Sequence, residues 1–139
     1  MKNKRFVLDT NILISALLVK NSTPFKVIKI VETIGVTLYS SETLQEINQV
    51  LKRKKFDKYL TSEEKQEFIV KLVEKSELVK IQEVIDVCRD SKDNKFLEVA
   101  VSGQADFIIT GDKYLLVLNP FRNIGIITVN EFLIKFTNS

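Results

Sequence analysis

The sequence predicts an α/β fold, a three-layer α/β/α sandwich in which helices cover both faces of a central parallel sheet. Short apolar runs of strand-forming residues, such as 6–8 and 107–109, alternate with longer segments whose apolar residues recur at helical spacing. This alternation favours right-handed crossovers between parallel strands. The 139 residues contain no repeat, low-complexity stretch or linker. We therefore predict a single domain over residues 1–139.

The first two strands and the helices between them have recognisable start and stop signals. A strand is predicted over residues 5–9 from the apolar run 6–8, and residues 12–18 carry apolar side chains at helical spacing. The Thr23-Pro24 pair predicts the N-cap and first position of a second helix, which Gly35 is expected to end. Residues 36–39 predict the second strand.

The middle of the chain is predicted to be mostly helical. One helix is expected from about residue 42 to residue 54. The capping-box sequence that begins at Thr61 predicts another helix, with three apolar residues facing inward, namely Phe68, Leu72 and Val73. Residues 78–81 are expected to form a short extended segment.

The C-terminal third repeats the alternation of helix and strand. A helix is predicted over residues 93–104, and residues 107–110 are the most strand-like run in the chain. A short helix through residues 114–118 should follow. Residues 124–129 predict the last strand, and Asn130 is the expected cap of the final helix.

The composition limits the possible chemistry. The chain has one cysteine, Cys88, and no histidine. These absences exclude Ser-His-Asp and Cys-His catalysis and the common zinc sites, so a bound metal would need oxygen ligands, as Mg²⁺, Mn²⁺ and Ca²⁺ do. A lone cysteine fits a reducing, cytoplasmic location. The net charge of +3 allows a polyanionic partner but is too small to argue for one.

Two acidic residues follow predicted strands. Asp9 comes directly after the first apolar run, and Asp112 comes shortly after the run that ends at Thr110. Parallel strands present their carboxyl ends at one edge of the sheet, where ligands bind in open α/β folds. Both carboxylates are therefore expected at that edge. Asp9 also suits the N-cap of the following helix, and its position alone does not separate the two roles.

Further acids occupy unusual positions on predicted helices. Asp93 shares the apolar stripe of its helix, where a carboxylate is unfavourable unless it is paired or metal-bound, although capping is an alternative. Asp90, one turn earlier, is an auxiliary candidate, and the sequence does not decide which of the two would be the direct ligand. Glu46 lies at the edge of the apolar arc of its helix, and Glu42 competes with it.

A cluster of carboxylates alone is electrostatically unfavourable, and a divalent cation reverses that balance. Mg²⁺ is usually held by one or two carboxylates, several waters and substrate phosphates. Hydrolysis of phosphodiester bonds uses such sites and requires no histidine or serine nucleophile. The acids therefore point to metal-dependent chemistry on a phosphate substrate.

Four segments of the chain, taken in order, resemble the acidic motifs of PIN domains. They are residues 7–11 (Val-Leu-Asp-Thr-Asn), 41–51, 89–97 and 106–112, the last ending in Thr-Gly-Asp. Each motif alone is weak, but their order, spacing and the total length agree with the family over nearly the whole chain. The most similar group comprises the VapC-like toxins of toxin–antitoxin pairs.

The resemblance implies an endoribonuclease that depends on Mg²⁺ or Mn²⁺, is inhibited by a separate antitoxin protein and is often a homodimer. It assigns the metal and catalytic roles to four acids, namely Asp9, Glu46, Asp93 and Asp112. It makes Asn11 and Thr110 supporting polar groups. The alternatives are a nuclease of structured DNA and an inactive domain that binds RNA or a protein partner. An intact set of four acids disfavours the inactive domain.

Two further features of the sequence concern binding partners, namely a basic run and the absence of a long apolar run. The densest positive stretch follows the Glu46 helix and consists of Lys52, Arg53, Lys54 and Lys55. It could contact RNA phosphates, or it could be a solvated helix end placed favourably at the negative pole of the helix dipole. No apolar run approaches the roughly 18 residues of a transmembrane helix, so we expect no membrane partner.

Overall fold

The computed structural model describes residues 3–137, and its centre is a five-stranded sheet in which every described strand pairs in parallel. The strands are Lys4–Leu8 (β1), Gly35–Tyr39 (β2), Glu77–Leu78 (β3), Phe107–Ile109 (β4) and Gly125–Ile127 (β5). Their order across the sheet is β3-β2-β1-β4-β5. The predicted α/β class is therefore confirmed, and the short segment after residue 76 adds a two-residue edge strand.

Helices connect the strands and cover the sheet. They are Thr10–Leu18 (α1), Thr23–Ile34 (α2), Ser41–Leu51 (α3), Ser62–Lys75 (α4), Asn94–Ser102 (α5), Lys113–Leu116 (α6) and Val129–Thr137 (α7), with 3-10 turns at Lys54–Phe56 and Ser91–Asp93. Over residues 3–137, none of these helices combines the length and the apolar character that crossing a bilayer requires.

The three layers follow from the alternation of side chains along β1. Phe6 and Leu8 point to one face, where they join a buried cluster with side chains of α1, α2, α3 and α7. Val7 points to the other face and joins a second cluster, to which α5 contributes Phe96, Leu97, Val99 and Ala100. Successive side chains of a strand face opposite sides of a sheet. The apolar run of β1 therefore contributes to the cores on both faces, as expected for the central strand of the sheet.

The chain reverses its direction of winding between β1 and β4. From β1 it proceeds to β2 on one side, and the later strands β4 and β5 are added on the other side. Leu8 pairs with Ile109, and the Asp9 N–H continues the ladder by donating to the Ile109 carbonyl at 3.2 Å. The residues after β1 and β4 therefore leave the sheet side by side, at the crevice where α/β folds bind ligands.

Two predicted helix caps were wrong by one or two residues. The N-cap of α2 is Ser22, whose hydroxyl accepts from the Phe25 N–H at 3.3 Å. The cap of α7 is Thr128, whose hydroxyl accepts from the Glu131 N–H at 3.1 Å while the Glu131 carboxylate accepts from the Thr128 N–H. This reciprocal capping box satisfies two backbone donors, which Asn130 could not do from within the first turn.

Other differences concern element ends. The Glu46 helix stops at Leu51, so the basic run lies in the turn after it rather than on it. Gly35 ends α2 as predicted but does so as the first residue of β2, where an added Cβ would lie 2.1 Å from the Lys4 carbonyl oxygen. Val73 was predicted to face inward but is 37% exposed, whereas Phe68 and Leu72 pack against the core as predicted. Within the described residues no α4 side chain is fully buried.

Candidate active site

Asp9 occupies the junction between β1 and α1 and performs two tasks there. It is the N-cap of α1, with Oδ1 accepting from the Ile12 N–H at 2.9 Å. Its other oxygen, Oδ2, accepts from the Thr110 hydroxyl. Burial raises the pKa of the Asp9 carboxyl, while these hydrogen bonds oppose the rise. The two interpretations that the sequence left open are therefore compatible: the capping carboxylate lies at the crevice.

Thr110 connects the two acids that follow β1 and β4. It is fully buried, and its hydroxyl donates to Asp9 while accepting from the Asp112 N–H at 3.0 Å. Asp112 in turn caps α6, with Oδ1 accepting from the Tyr114 N–H at 2.8 Å. One threonine hydroxyl thus fixes the side chain of one acid and the backbone of the other.

Asp93 lies at the end of a 3-10 turn and is only 8% exposed. Among the residues that the structure describes, its Oδ2 is a buried oxygen with no hydrogen-bond partner. Burial, followed by the adjacent Asp112 carboxylate, raises the pKa of Asp93 to about 7. Asp90, by contrast, is exposed and accepts from the Lys92 N–H at 3.0 Å. Of these two acids, the structure places Asp93 inside and Asp90 at the rim.

Glu46 reaches the same region from α3 but is held differently. Its Oε1 accepts from the Thr10 hydroxyl, and its Oε2 lies 2.8 Å from Lys95 Nζ. Lys95 is itself buried, with 8% of its surface exposed. Glu42, the competing acid on the same helix, is exposed to solvent.

The sequence interpretation missed Lys95 and Thr10. Lys95 is the second residue of α5, close to the positive pole of the helix dipole, where a cation is unfavourable without a partner. A lysine in the first turn of a predicted helix was therefore the feature of the sequence that could have identified Lys95. Thr10 gave no comparable signal, because its role depends on the packing of α1 against α3.

Three further side chains lie near the acids, namely Asn94, Cys88 and Asn11. Asn94 is buried and accepts through Oδ1 from the N–H groups of Val87 (3.2 Å) and Cys88 (2.9 Å), so it ties the preceding segment to α5. Burial and nearby carboxylates raise the pKa of the Cys88 thiol to about 11, which makes the thiolate scarce at neutral pH. Asn11, a predicted supporting group, is exposed.

A cleft of about 440 Å³ opens beside the acids. It is lined by Asp9, Asn11, Ile12, Ser15, Pro24, Thr110, Gly111, Asp112, Thr128 and Val129. A larger groove of about 730 Å³ lies between α1, α2 and α4, and its described lining contains no predicted site residue. The smaller cleft reaches Asp9 and Asp112 at the carboxyl edge of the sheet, whereas Glu46 and Asp93 are not part of its described lining.

The donor chemistry suits a hard divalent cation. In residues 3–137 no group of three or more acidic, histidine or cysteine side chains is arranged tightly enough to enclose a metal. Mg²⁺, however, typically takes only one or two carboxylates and completes its shell with water and phosphate oxygens. The adjacent Asp93 and Asp112, with the unpartnered Asp93 Oδ2, fit that requirement. Asp9 lies near Asp112, and the charge of Asp112 contributes to the raised pKa of Asp9.

The basic run after α3 is solvent-exposed. All four of its side chains are accessible, namely Lys52, Arg53, Lys54 and Lys55. The Lys55 ammonium lies 5.1 Å from the centre of the Phe56 ring. Neither the RNA contact nor the solvated helix end is decided by this arrangement, and both stay predictions.

Comparisons with known proteins agree with the predicted family. Residues 5–114 match the sequence pattern of a family described as PIN domain. An uncharacterized protein of Methanocaldococcus jannaschii, MJ1680, is 34% identical over 145 residues, covering 95% of this chain and 91% of that protein.

Two solved structures share the fold at low sequence identity. PAE2754 from Pyrobaculum aerophilum has a TM-score of 0.64 and is 15% identical, covering 96% of this chain and 90% of that one. VapBC2 from Rickettsia felis, bound to a DNA fragment from its promoter, has a TM-score of 0.62 and is 13% identical, covering 89% of this chain and 98% of the matched chain. Both likenesses concern the fold.

Proposed function

This chain belongs to the PIN domain family, and from that premise we propose that it is a Mg²⁺- or Mn²⁺-dependent endoribonuclease, the toxin of a toxin–antitoxin pair. PIN domains are generally nucleases. The proposal adds the metal, the RNA substrate and the toxin role to that general statement. It also assigns the site to Asp9, Glu46, Asp93 and Asp112.

One observation carries the proposal. At the crevice between β1 and β4, Asp93 and Asp112 lie against one another, and a buried Asp93 oxygen lacks a partner in the described part of the chain. Two adjacent carboxylates of this kind are unfavourable without a cation. Asp93 and Asp112 would hold the ion, with Asp9 beside them. When bound, the ion would activate a water and stabilise charge on the phosphate oxygens.

The surrounding residues have supporting roles in this proposal. The Thr110 hydroxyl orients Asp9 and the backbone of Asp112, and the Tyr114 N–H orients the Asp112 side chain. The cleft beside them brings an RNA strand to the acids. Asn11, at its edge, is a candidate contact to the strand.

Partners and location belong to the same proposal. We infer a separate antitoxin chain that inhibits the enzyme, assembly as a homodimer, and a cytoplasmic location for a single domain over residues 1–139. Family membership, the resemblance of the acidic motifs to those of VapC-like toxins and the fold shared with VapBC2 support this part. A nuclease of structured DNA and an inactive domain that binds RNA or a partner are the competing functions.

The test compares substrates and metals directly. Purified protein is incubated with single-stranded RNA, single-stranded DNA and branched DNA in Mg²⁺, Mn²⁺ or EDTA, and products are resolved on gels. RNA cleavage that requires metal is expected. Asp9→Asn should abolish it while preserving the fold, because asparagine is also a good N-cap. Glu42→Gln, which alters an exposed carboxylate on α3, is the control and should retain activity.

Each other outcome favours a competing function. Cleavage of branched DNA alone would support the DNA nuclease. Binding of RNA without cleavage in either metal would support the inactive domain. Full activity in Asp9→Asn would remove Asp9 from the site.

A further inference from the structure

Lys95 is a buried cation inside the acidic region. Only 8% of its surface is exposed, and it lies in the first turn of α5, where the helix dipole disfavours positive charge. A buried charge is stable only when it is paired or well hydrogen-bonded. Its partners therefore reveal what the lysine does.

Those partners are Glu46 and a backbone carbonyl. Lys95 Nζ lies 2.8 Å from Glu46 Oε2, and the side chains of the pair are 9% and 27% exposed respectively. The same ammonium donates to the Lys92 carbonyl. The second Glu46 oxygen accepts from the Thr10 hydroxyl. Both oxygens of Glu46 are thus occupied by protein groups from two other helices.

Asp93 is in the opposite situation. Lys95 lies close enough to act on its charge and lowers its pKa slightly, against the larger effects of burial and Asp112. Yet the Asp93 Oδ2 has no donor among residues 3–137. Of the four acids, Glu46 is therefore already neutralised by the protein, whereas Asp93 and Asp112 are left for an external cation.

We propose that Lys95 is a built-in cation that neutralises Glu46 and keeps it from ligating the metal, so that the aspartates hold a single divalent ion. This inference rests on the proposed metal-dependent function and sharpens it. Lys95 is a positioning residue: it fixes Glu46 and sets the net charge that the ion meets. Glu46 differs from Asp9 in this respect, because its partner Lys95 is a cation that neutralises its charge, whereas both donors to Asp9 are neutral.

The charge-neutral double variant distinguishes the two roles of Glu46. Mn²⁺ binding is measured at pH 7.5, by calorimetry and by the spectroscopic signal of free Mn²⁺, for the unchanged protein and its variants. The variants are Lys95→Met, Glu46→Gln, the double Lys95→Met/Glu46→Gln, and Asp93→Asn. The double variant removes one charge of each sign, so it leaves the net charge of the site unchanged.

We expect the unchanged protein to bind one Mn²⁺. We expect the double variant to bind it several-fold more tightly than Glu46→Gln, because it leaves no unpaired ammonium beside the ion. Glu46→Gln leaves the ammonium unpaired and weakens binding about tenfold. Lys95→Met frees Glu46 and gives a second equivalent or binding about tenfold tighter. Asp93→Asn loses more than about a hundredfold.

Other patterns overturn the inference. A double variant as weak as Glu46→Gln would make Glu46 a direct ligand, and two ions in the unchanged protein would exclude the built-in cation. If the unchanged protein binds no Mn²⁺ at millimolar concentration, the proposed metal-dependent function fails and this inference with it. If Lys95→Met does not fold, as judged by circular dichroism, the double variant still decides, because it contains no unpaired buried charge.

Discussion

The acidic region has two halves that differ in how well the protein satisfies them. In the closed half, Asp9 and Glu46 have both oxygens engaged by hydroxyl, backbone and ammonium donors. In the open half, Asp112 has one backbone donor, and Asp93 has a buried oxygen with no partner among the described residues. The protein thus satisfies the closed half by itself, and in the proposed function the open half holds the cation.

This contrast explains why the acids do not form one tight cluster. A closed half that is fully hydrogen-bonded is pre-organised and needs no ion to hold its geometry. An open half with adjacent carboxylates stores unfavourable charge repulsion that a cation relieves. Geometry would come from the first and affinity from the second, and the following changes separate these contributions.

The largest effect is expected at the open half. Asp93→Asn removes the unpartnered oxygen and one of two adjacent charges, and metal-dependent RNA cleavage should fall more than about a hundredfold, beyond the 10–100-fold typical of outer groups. Cleavage rates over a range of Mg²⁺ concentrations provide the measurement. Asp90→Asn is the matched control, since Asp90 is exposed and caps a turn. Equal losses in the two variants would abolish the distinction between them.

Thr110 tests the closed half. Thr110→Val keeps the shape of this buried side chain but leaves the Asp9 Oδ2 and the Asp112 N–H without their partner. Activity should fall about 10–100-fold, and the free energy of unfolding should fall by about 1–3 kcal/mol. Thr110→Ser retains the hydroxyl and should lose far less. Denaturant unfolding and RNA cleavage measure both effects, and a valine variant with full activity would show that Asp9 needs no such support.

The sequence predicted the acids of both halves better than the partners that hold Glu46. Asp9 and Asp112 were found because they follow apolar runs, and Asp93 because a carboxylate appeared on an apolar helical stripe. These are local patterns of period and position. The partners of the closed half come from contacts between α1, α3 and α5, namely Thr10 with Glu46 and Lys95 with Glu46, and no spacing along the chain encodes those.

The fold was predictable for a related reason. The periodicities of strands and helices can be read from a single sequence, so the alternation of strands with helices and the parallel sheet were predicted correctly. Caps were less certain because several polar residues compete for each position. Ser22 rather than Thr23 caps α2, and Thr128 rather than Asn130 caps α7, because the hydroxyls of Ser22 and Thr128 reach a free backbone N–H.

The pH dependence of the free energy of unfolding tests the open half through Asp93. Folding raises the pKa of Asp93 from 3.8 to about 7. Between these values the folded protein retains a proton that the unfolded chain releases, so this group's contribution to stability declines as the pH rises from about 4 to 7. Without metal at pH 8, Asp93→Asn should be about 1–3 kcal/mol more stable than the unchanged protein, and the difference should vanish near pH 4.

Unfolding by denaturant at several pH values, in EDTA, measures this difference. Addition of Mg²⁺ should then stabilise the unchanged protein but not the variant, because an ion that binds only the folded state raises its stability. A variant that is less stable at pH 8 would mean that the Asp93 carboxylate is satisfied after all.

The smallest effect concerns the basic run that follows α3, the helix that carries Glu46 of the closed half. Replacing Lys52, Arg53, Lys54 and Lys55 by glutamine should weaken RNA binding several-fold and flatten its dependence on salt, because each phosphate contact on a single strand contributes about 0.7 to the logarithmic slope. Lys4 and Lys135, at the amino edge of the sheet, provide a control compared per charge removed. If both sets change the salt dependence of RNA binding equally per charge, the effect is one of net charge, and the run is a solvated helix end. A larger change per charge for the run would mean that the RNA extends from the cleft past the closed half to the basic run.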